Sequence, residues 1–83
     1  MDWRDHIHSD PAVMNGKPVF RDTRTTVDFV LELLADNLDV EEALKELPRL
    51  DRQAVLASCA FAAHVIRKNP AIAKKFAASS GIN

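Results

Sequence analysis

The stretch TVDFVLELLADNLDVEEALKELP, residues 26–48, decides the fold class of this 83-residue chain. Its first apolar stripe recurs from Val27 at i, i+3, i+4 and i+7, the period of one helix face. Phe29 and Leu33 widen that stripe. A second stripe of the same period runs up to Pro48, which closes it. The stretch therefore predicts two consecutive amphipathic helices.

Capping residues predict where these two helices begin and end. Thr25 or Thr26 is placed as the N-cap of the first helix. Asp39, followed three residues later by Glu42, forms a capping box for the second. Asn37 can adopt the left-handed conformation that ends a helix, so we expect the first helix to stop there.

Two further helices follow toward the C-terminus. Asp51 is the expected N-cap of a third helix that runs to about Lys68, and Pro70 begins a short fourth helix of about residues 71–78. The predicted inward faces are Val55, Cys59, Ala62 and Ile66 in the third helix, and Ile72, Phe76 and Ala77 in the fourth. The final segment SSGIN, residues 79–83, is expected to fray.

The N-terminal 25 residues contain the turn signals. Asp10-Pro11 and Asn15-Gly16 lie between two short pieces, DHIHS and PVFRDTR, which we interpret as two strands of a ribbon. One domain is expected, with the ribbon in residues 1–25, a three-helix core in 26–69, and a short helix with a tail in 70–83. The fold class is mainly α. The tight helix connections match a helix-turn-helix, and they also match any small helical bundle.

Composition limits the class of protein. With 47% hydrophobic residues, a chain of this length can build one small core. The single cysteine excludes an internal disulfide and favours a reducing compartment. No apolar run reaches the roughly 18 residues that a membrane span requires, and the polar N-terminus does not resemble a signal peptide. We therefore expect a cytoplasmic protein that does not enter a membrane.

The net charge of −1 conceals a strong asymmetry. Residues 1–48 hold five Lys/Arg and eleven Asp/Glu, which gives −6, whereas residues 49–83 hold six Lys/Arg and one Asp, which gives +5. A basic half favours a polyanion or an acidic partner. Alternatively, each half solvates its own surface, or the two halves attract each other across the fold.

Residues capable of catalysis or metal binding are scarce. His6 and His8 alternate as two metal ligands on a strand could, but no third ligand has matching spacing. Cys59 falls on an apolar stripe and is interpreted as a small core residue. Gly16 and Gly81 are the only glycines, so there is no phosphate-binding loop. The sequence predicts no enzyme, no metal site and no cofactor.

The N-terminal motif resembles a known family. The motif consists of Asp10, Pro11, Gly16, Lys17, Pro18, Thr23 and Arg24. Its order and spacing resemble the small bacterial DUF433 family, and the resemblance extends over about residues 5–66. Asp22 stands where that family usually has Gly, and Asn37 stands where Gly commonly ends the first helix. The resemblance implies a homeodomain-like helical core, and an antitoxin of the VapB type paired with a PIN-like nuclease.

Three sets of residues receive roles as hypotheses. Arg24 is predicted to fork onto Asp10 or onto backbone carbonyls and lock the ribbon to the first helix. The candidates for contact with operator DNA, at the start of the third helix, are Arg49, Arg52 and Gln53. The candidates for binding an acidic nuclease site are Arg67, Lys68, Lys74 and Lys75, for which a frayed basic tail is the alternative.

The small size of the chain and the open edges of its ribbon predict a homodimer or a higher even oligomer. A close-packing alanine face on the third helix favours the same conclusion. Another function remains open beside the antitoxin: a structural or protein-interaction module with the same fold that does not bind DNA.

Overall fold

The computed structural model describes residues 1–37 and 39–80, and it confirms a mainly helical fold with an N-terminal ribbon. The elements are β1 (Ile7–His8), β2 (Val19–Phe20), α1 (Val27–Asp36), α2 (Val40–Leu44), α3 (Arg52–Lys68) and α4 (Pro70–Ser80). The two strands pair antiparallel, with Ile7 opposite Phe20 and His8 opposite Val19. No described helix has both the length and the apolar character that crossing a membrane requires.

Side-chain caps begin the first three helices, as predicted. Thr26, Asp39 and Asp51 each accept a hydrogen bond from the backbone N–H three residues later, at 3.3, 2.9 and 2.9 Å. The predicted left-handed end of α1 is wrong, because Asn37 is extended at φ −113°. Its side-chain amide instead donates to the Leu33 carbonyl at 2.6 Å, so the helix end is still satisfied.

The core lies between the ribbon and the first three helices. The buried apolar residues that pack together are Ile7, Phe20, Val27, Val30, Leu47, Ala54, Val55 and Ala57. Ser58 is buried among them, and its hydroxyl donates to the Val55 carbonyl at 2.6 Å, which removes the cost of burying a polar group. Ribbon and helices therefore share one apolar centre.

The predicted inward face of α3 is partly wrong. Cys59 is exposed rather than a core residue, and Ile66 is 56% exposed. The fully buried side includes Ala54, Ala57 and Ser58, which are spaced at i, i+3 and i+4. Because nearly every residue from 54 to 66 is apolar, the helical period alone cannot select which face is buried. On α1, Phe29 is likewise 50% exposed and does not widen the core stripe.

Helix α4 extends away from the core instead of closing it. It packs against α3, but Ile72 and Phe76 are 43% and 62% exposed, so their predicted inward placement is wrong. The radius of gyration is 14.0 Å, against about 12 Å for a compact chain of this length. The fourth helix therefore lengthens the molecule and leaves part of its apolar surface in contact with solvent.

Candidate functional site

The first part of the N-terminal motif forms turns that are stabilised locally. The Asp10 carboxylate accepts the Ala12 N–H at 2.9 Å, so its hydrogen bond closes its own turn. Met14, Asn15 and Gly16 have φ of 48°, 58° and 81°, all in the left-handed region. The predicted turn at Asn15-Gly16 is confirmed, and it brings the two strands together through a long connection rather than a two-residue hairpin.

The second part of the motif is a tightly hydrogen-bonded loop, residues 21–25, between β2 and α1. The Thr23 N–H and hydroxyl both donate to the Phe20 carbonyl, at 3.1 and 2.8 Å. The Thr23 hydroxyl oxygen accepts the Thr25 N–H at 3.0 Å, and the Phe20 N–H donates to the Thr25 carbonyl at 3.0 Å. Asp22 has φ of 62°, a conformation that favours glycine. The backbone at position 22 therefore favours glycine, the residue that the resemblance noted in the sequence leads us to expect there.

The predicted lock by Arg24 is absent from the structure. The Arg24 side chain is exposed, and within residues 1–37 and 39–80 it makes no hydrogen bond or ion pair. Asp10, its expected partner, bonds to the Ala12 N–H instead. Arg24 is therefore held on a structured loop with its side chain exposed to solvent.

Arg21 makes the forked contact that was expected of Arg24. Its Nε and one Nη donate to the Arg4 carbonyl at 3.1 and 3.0 Å. The Arg21 N–H also donates to the His6 carbonyl at 2.8 Å, continuing the ribbon by one residue. The role of Arg21 could not be predicted from the sequence, because both arginines lie in the same short stretch and the register of the strands decides which of them reaches the Arg4 carbonyl.

Lys17 connects the motif to α1. Its ammonium lies 3.7 Å from the Asp28 carboxylate, and both side chains are more than half exposed. A hydrogen bond with the Thr26 side chain lowers the pKa of Asp28 below its ordinary value, and the charge of Lys17 lowers it further. This corner of the motif therefore stabilises the start of the helix.

The proposed DNA-contacting residues at the start of α3 differ in availability. Arg52 contacts Glu41 of α2 at 2.9 Å, with both side chains largely exposed. The Asp51 carboxylate caps the helix. Gln53 and Arg49 are exposed, and Arg49 makes no hydrogen bond or ion pair in the described part of the chain. Glu41 thus neutralises one of the two arginines that could meet a phosphate.

Arg49 and Arg24 line one cleft, although 25 positions separate them in sequence. The cleft has a volume of about 720 Å³ and lies between the 21–25 loop and the turn before α3. Its polar and charged lining consists of His8, Asp22, Thr23, Arg24, Thr25 and Arg49. We call this the arginine cleft. Each arginine was singled out in the sequence for a different role, and their proximity arises only from the fold.

A second cationic surface is formed by residues 66–80, which we call the C-terminal arm. Arg67 and Lys68 end α3, while Lys74 and Lys75 lie on α4, and all four are exposed. The exposed apolar residues of the arm are Ile66, Ile72 and Phe76. Cationic and apolar side chains therefore occur together on this part of the molecule.

Metal-binding clusters are absent from the described residues, where no three His, Cys, Asp or Glu side chains come close enough to hold an ion. His64 contacts the Trp3 ring, with centroids 5.2 Å apart, and Phe61 meets the same ring edge-on at 4.9 Å. His64 therefore has a packing role that ties the N-terminus to α3.

Comparison with known protein families gives a match. The family model described as "Protein of unknown function (DUF433)" matches residues 7–62. The matched range includes the N-terminal motif and both arginines of the cleft, while the C-terminal arm lies beyond it. No curated protein and no solved structure matches the chain.

Proposed function

This chain belongs to the DUF433 family, and on that premise we propose that it is a VapB-type antitoxin-like module that binds and neutralises a PIN-like nuclease. The observation that carries the proposal is the C-terminal arm, which presents cations and large apolar side chains together. The nuclease expected from the family association has an acidic metal site. Arg67, Lys68, Lys74 and Lys75 have the charge to complement it.

The apolar residues of the arm strengthen this proposal. Phe76 and Ile72 are 62% and 43% exposed, on a helix that contacts α3. An aromatic or aliphatic anchor surrounded by charged groups is a common arrangement at protein interfaces. Residues 70–80 form α4, so these side chains are presented from a helix; a basic tail without a partner role is the alternative.

The test is coexpression with a PIN-like nuclease encoded beside the gene, followed by pull-down and a nuclease assay. The double variant Ile72→Ser/Lys74→Glu should lose neutralisation, and truncation after Asn69 should do the same while the core stays folded. Phe29→Ser is the matched control, since Phe29 is 50% exposed on α1, and it should still neutralise. Neutralisation by the truncated protein would contradict the proposal.

Binding to operator DNA is a second proposal, through α2 and α3 as a helix-turn-helix. The observation in its favour is that Arg49 and Gln53 are exposed near the start of α3, and that Arg49 has no partner among the described residues. The ion pair between Glu41 and Arg52 argues against strong DNA binding, because it neutralises a cation that could meet a phosphate. We therefore propose modest, salt-sensitive binding that a partner tightens.

Mobility shifts on the chain's own promoter test this second proposal. Binding should weaken steeply from low to physiological salt. Arg49→Ala should weaken it, while Glu41→Gln should tighten it by releasing Arg52 for phosphate. If neither the protein nor its complex with the nuclease binds at low salt, the protein is an interaction module that does not bind DNA.

We also infer that the protein acts in the bacterial cytoplasm as a homodimer or a higher even oligomer. Two copies would bring two basic halves to one face, and they would cover the edges of the short ribbon. Cytoplasmic nucleases and operators are the partners that such an assembly would meet.

A further inference from the structure

We propose that the arginine cleft is a binding site for a phosphate group. The proposal follows from which Lys and Arg side chains already have a carboxylate or carbonyl partner. Residues 1–66 contain seven Lys and Arg residues, all of them described, and five are bound to a carboxylate or a carbonyl. These five are Arg4, Lys17, Arg21, Lys45 and Arg52. The two that have no partner in the described residues, Arg24 and Arg49, line the same cleft.

The backbone presents both guanidinium groups from constrained positions. Arg24 lies in the 21–25 loop, which Thr23 closes with three hydrogen bonds. Arg49 lies in the turn before α3, where the Leu50 N–H donates to the carbonyl of buried Leu47 at 3.0 Å. Neither backbone has to be ordered when a ligand binds, which lowers the entropic cost of binding.

The groups in the cleft favour phosphate over a carboxylate. Each guanidinium carries five N–H donors in a planar fork. The Thr25 hydroxyl makes no hydrogen bond of its own among the described residues and can add a donor. Asp22 is the one carboxylate in the lining, so the two arginines leave the cleft with a net positive charge. A phosphate carries more negative charge and more acceptor oxygens than a carboxylate, so it can accept bidentately from both forks, whereas one bidentate fork already engages both oxygens of a carboxylate.

The site goes beyond the neutralisation of a nuclease and does not depend on the C-terminal arm. It shares Arg49 with the proposed DNA contact, so its test uses inorganic phosphate rather than operator DNA. The Nε–H resonances of Arg24 and Arg49 are followed by NMR while the full-length protein is titrated with phosphate at constant ionic strength. Sodium acetate is the carboxylate comparison.

Both resonances should shift saturably with phosphate. Arg24→Gln and Arg49→Gln should each weaken binding by about tenfold or more, as expected for loss of a charge-assisted hydrogen bond. Lys45→Gln removes the same charge from an exposed residue outside the cleft and should change the affinity by less than about twofold. The double variant should lose less phosphate affinity than the product of the two single fold-losses, because both arginines contact one ligand.

Two further titrations identify the source of the phosphate. Tighter binding of a mononucleotide than of inorganic phosphate would support a terminal phosphate, and tighter binding of a short oligonucleotide would support the phosphodiester backbone. The proposal would be overturned if Lys45→Gln weakened phosphate binding as much as the arginine variants do. It would also be overturned if acetate bound as tightly as phosphate, or if neither resonance shifted saturably. Urea denaturation of the arginine variants checks folding, which should be unchanged because neither arginine has a partner among the residues that the structure describes.

Discussion

The left-handed conformation of Asp22 makes a testable prediction about stability. With φ of 62°, a residue that has a Cβ atom experiences a cost of about 1–2 kcal/mol, which glycine avoids. Glycine also has more freedom in the unfolded chain, and this lowers stability by about 0.4–1 kcal/mol. We therefore expect Asp22→Gly to be more stable than Asp22→Ala by roughly 1 kcal/mol.

The difference between Asp22→Gly and Asp22→Ala reports on the backbone conformation at position 22. Both substitutions remove the same charge, and the exposed Asp22 side chain makes no hydrogen bond within the described residues. The wild-type protein should lie between the two variants, because Asp tolerates the left-handed region better than Ala. Urea denaturation followed by circular dichroism gives the free energies. In thermal melts, roughly 1 kcal/mol corresponds to about 4–8 °C for a domain of this size.

Position 12 is the control. Ala12 is exposed and is not among the residues with positive φ. There Ala12→Gly should lower the free energy of unfolding by about 0.4–1 kcal/mol. The preference between glycine and alanine should thus be opposite at the two positions. If the Asp22→Ala variant is as stable as Asp22→Gly, the claim that the left-handed backbone at position 22 favours glycine is refuted.

Three other predictions follow from contacts in the fold. Arg21→Ala should lower the free energy of unfolding by about 0.5–1.5 kcal/mol in urea denaturation, because the Arg4 carbonyl loses its forked donor, whereas Arg24→Ala should leave it unchanged. Asp28 has a lowered pKa, so its contribution is present above the pH at which it titrates in the unfolded chain and is lost as pH falls through its folded pKa. Asp28→Asn should therefore remove about 0.2–1 kcal/mol at neutral pH, less at high salt, and reduce the loss of stability on acidification; an unchanged acid dependence would contradict this. Light scattering at micromolar concentration should give a mass well above 9.2 kDa, and a clean monomer would exclude the proposed homodimer.

The mainly helical class, the ribbon and the caps could be predicted because each depends on neighbours within a few residues. Thr26, Asp39 and Asp51 cap helices by accepting an N–H three positions away, a distance that the sequence displays directly. Asn37 was assigned correctly as a helix end but through the wrong conformation. Its amide reaches the Leu33 carbonyl, a second local solution that the sequence does not distinguish from the first.

Burial of apolar faces was predicted less well. The predicted stripe of α3 included Cys59 and Ile66, which are exposed, and α4 was expected to turn Ile72 and Phe76 inward. Helical period identifies an apolar face only where polar residues interrupt it. In a helix that is apolar nearly all round, the buried side is set by whichever elements pack against it.

The residues of the candidate site show the same difference between features set by neighbours in sequence and features set by packing. The sequence by itself determined that residues 16–27 form a turn, a strand and a capped helix start, because those are local backbone preferences. Only the tertiary structure decided that Arg21 rather than Arg24 binds a carbonyl, since that depends on strand register. It also decided that Arg24 and Arg49 share a cleft. The shared cleft requires the loop after the ribbon to pack beside the turn before α3. Residues far apart in the chain are brought together by core packing rather than by any local pattern.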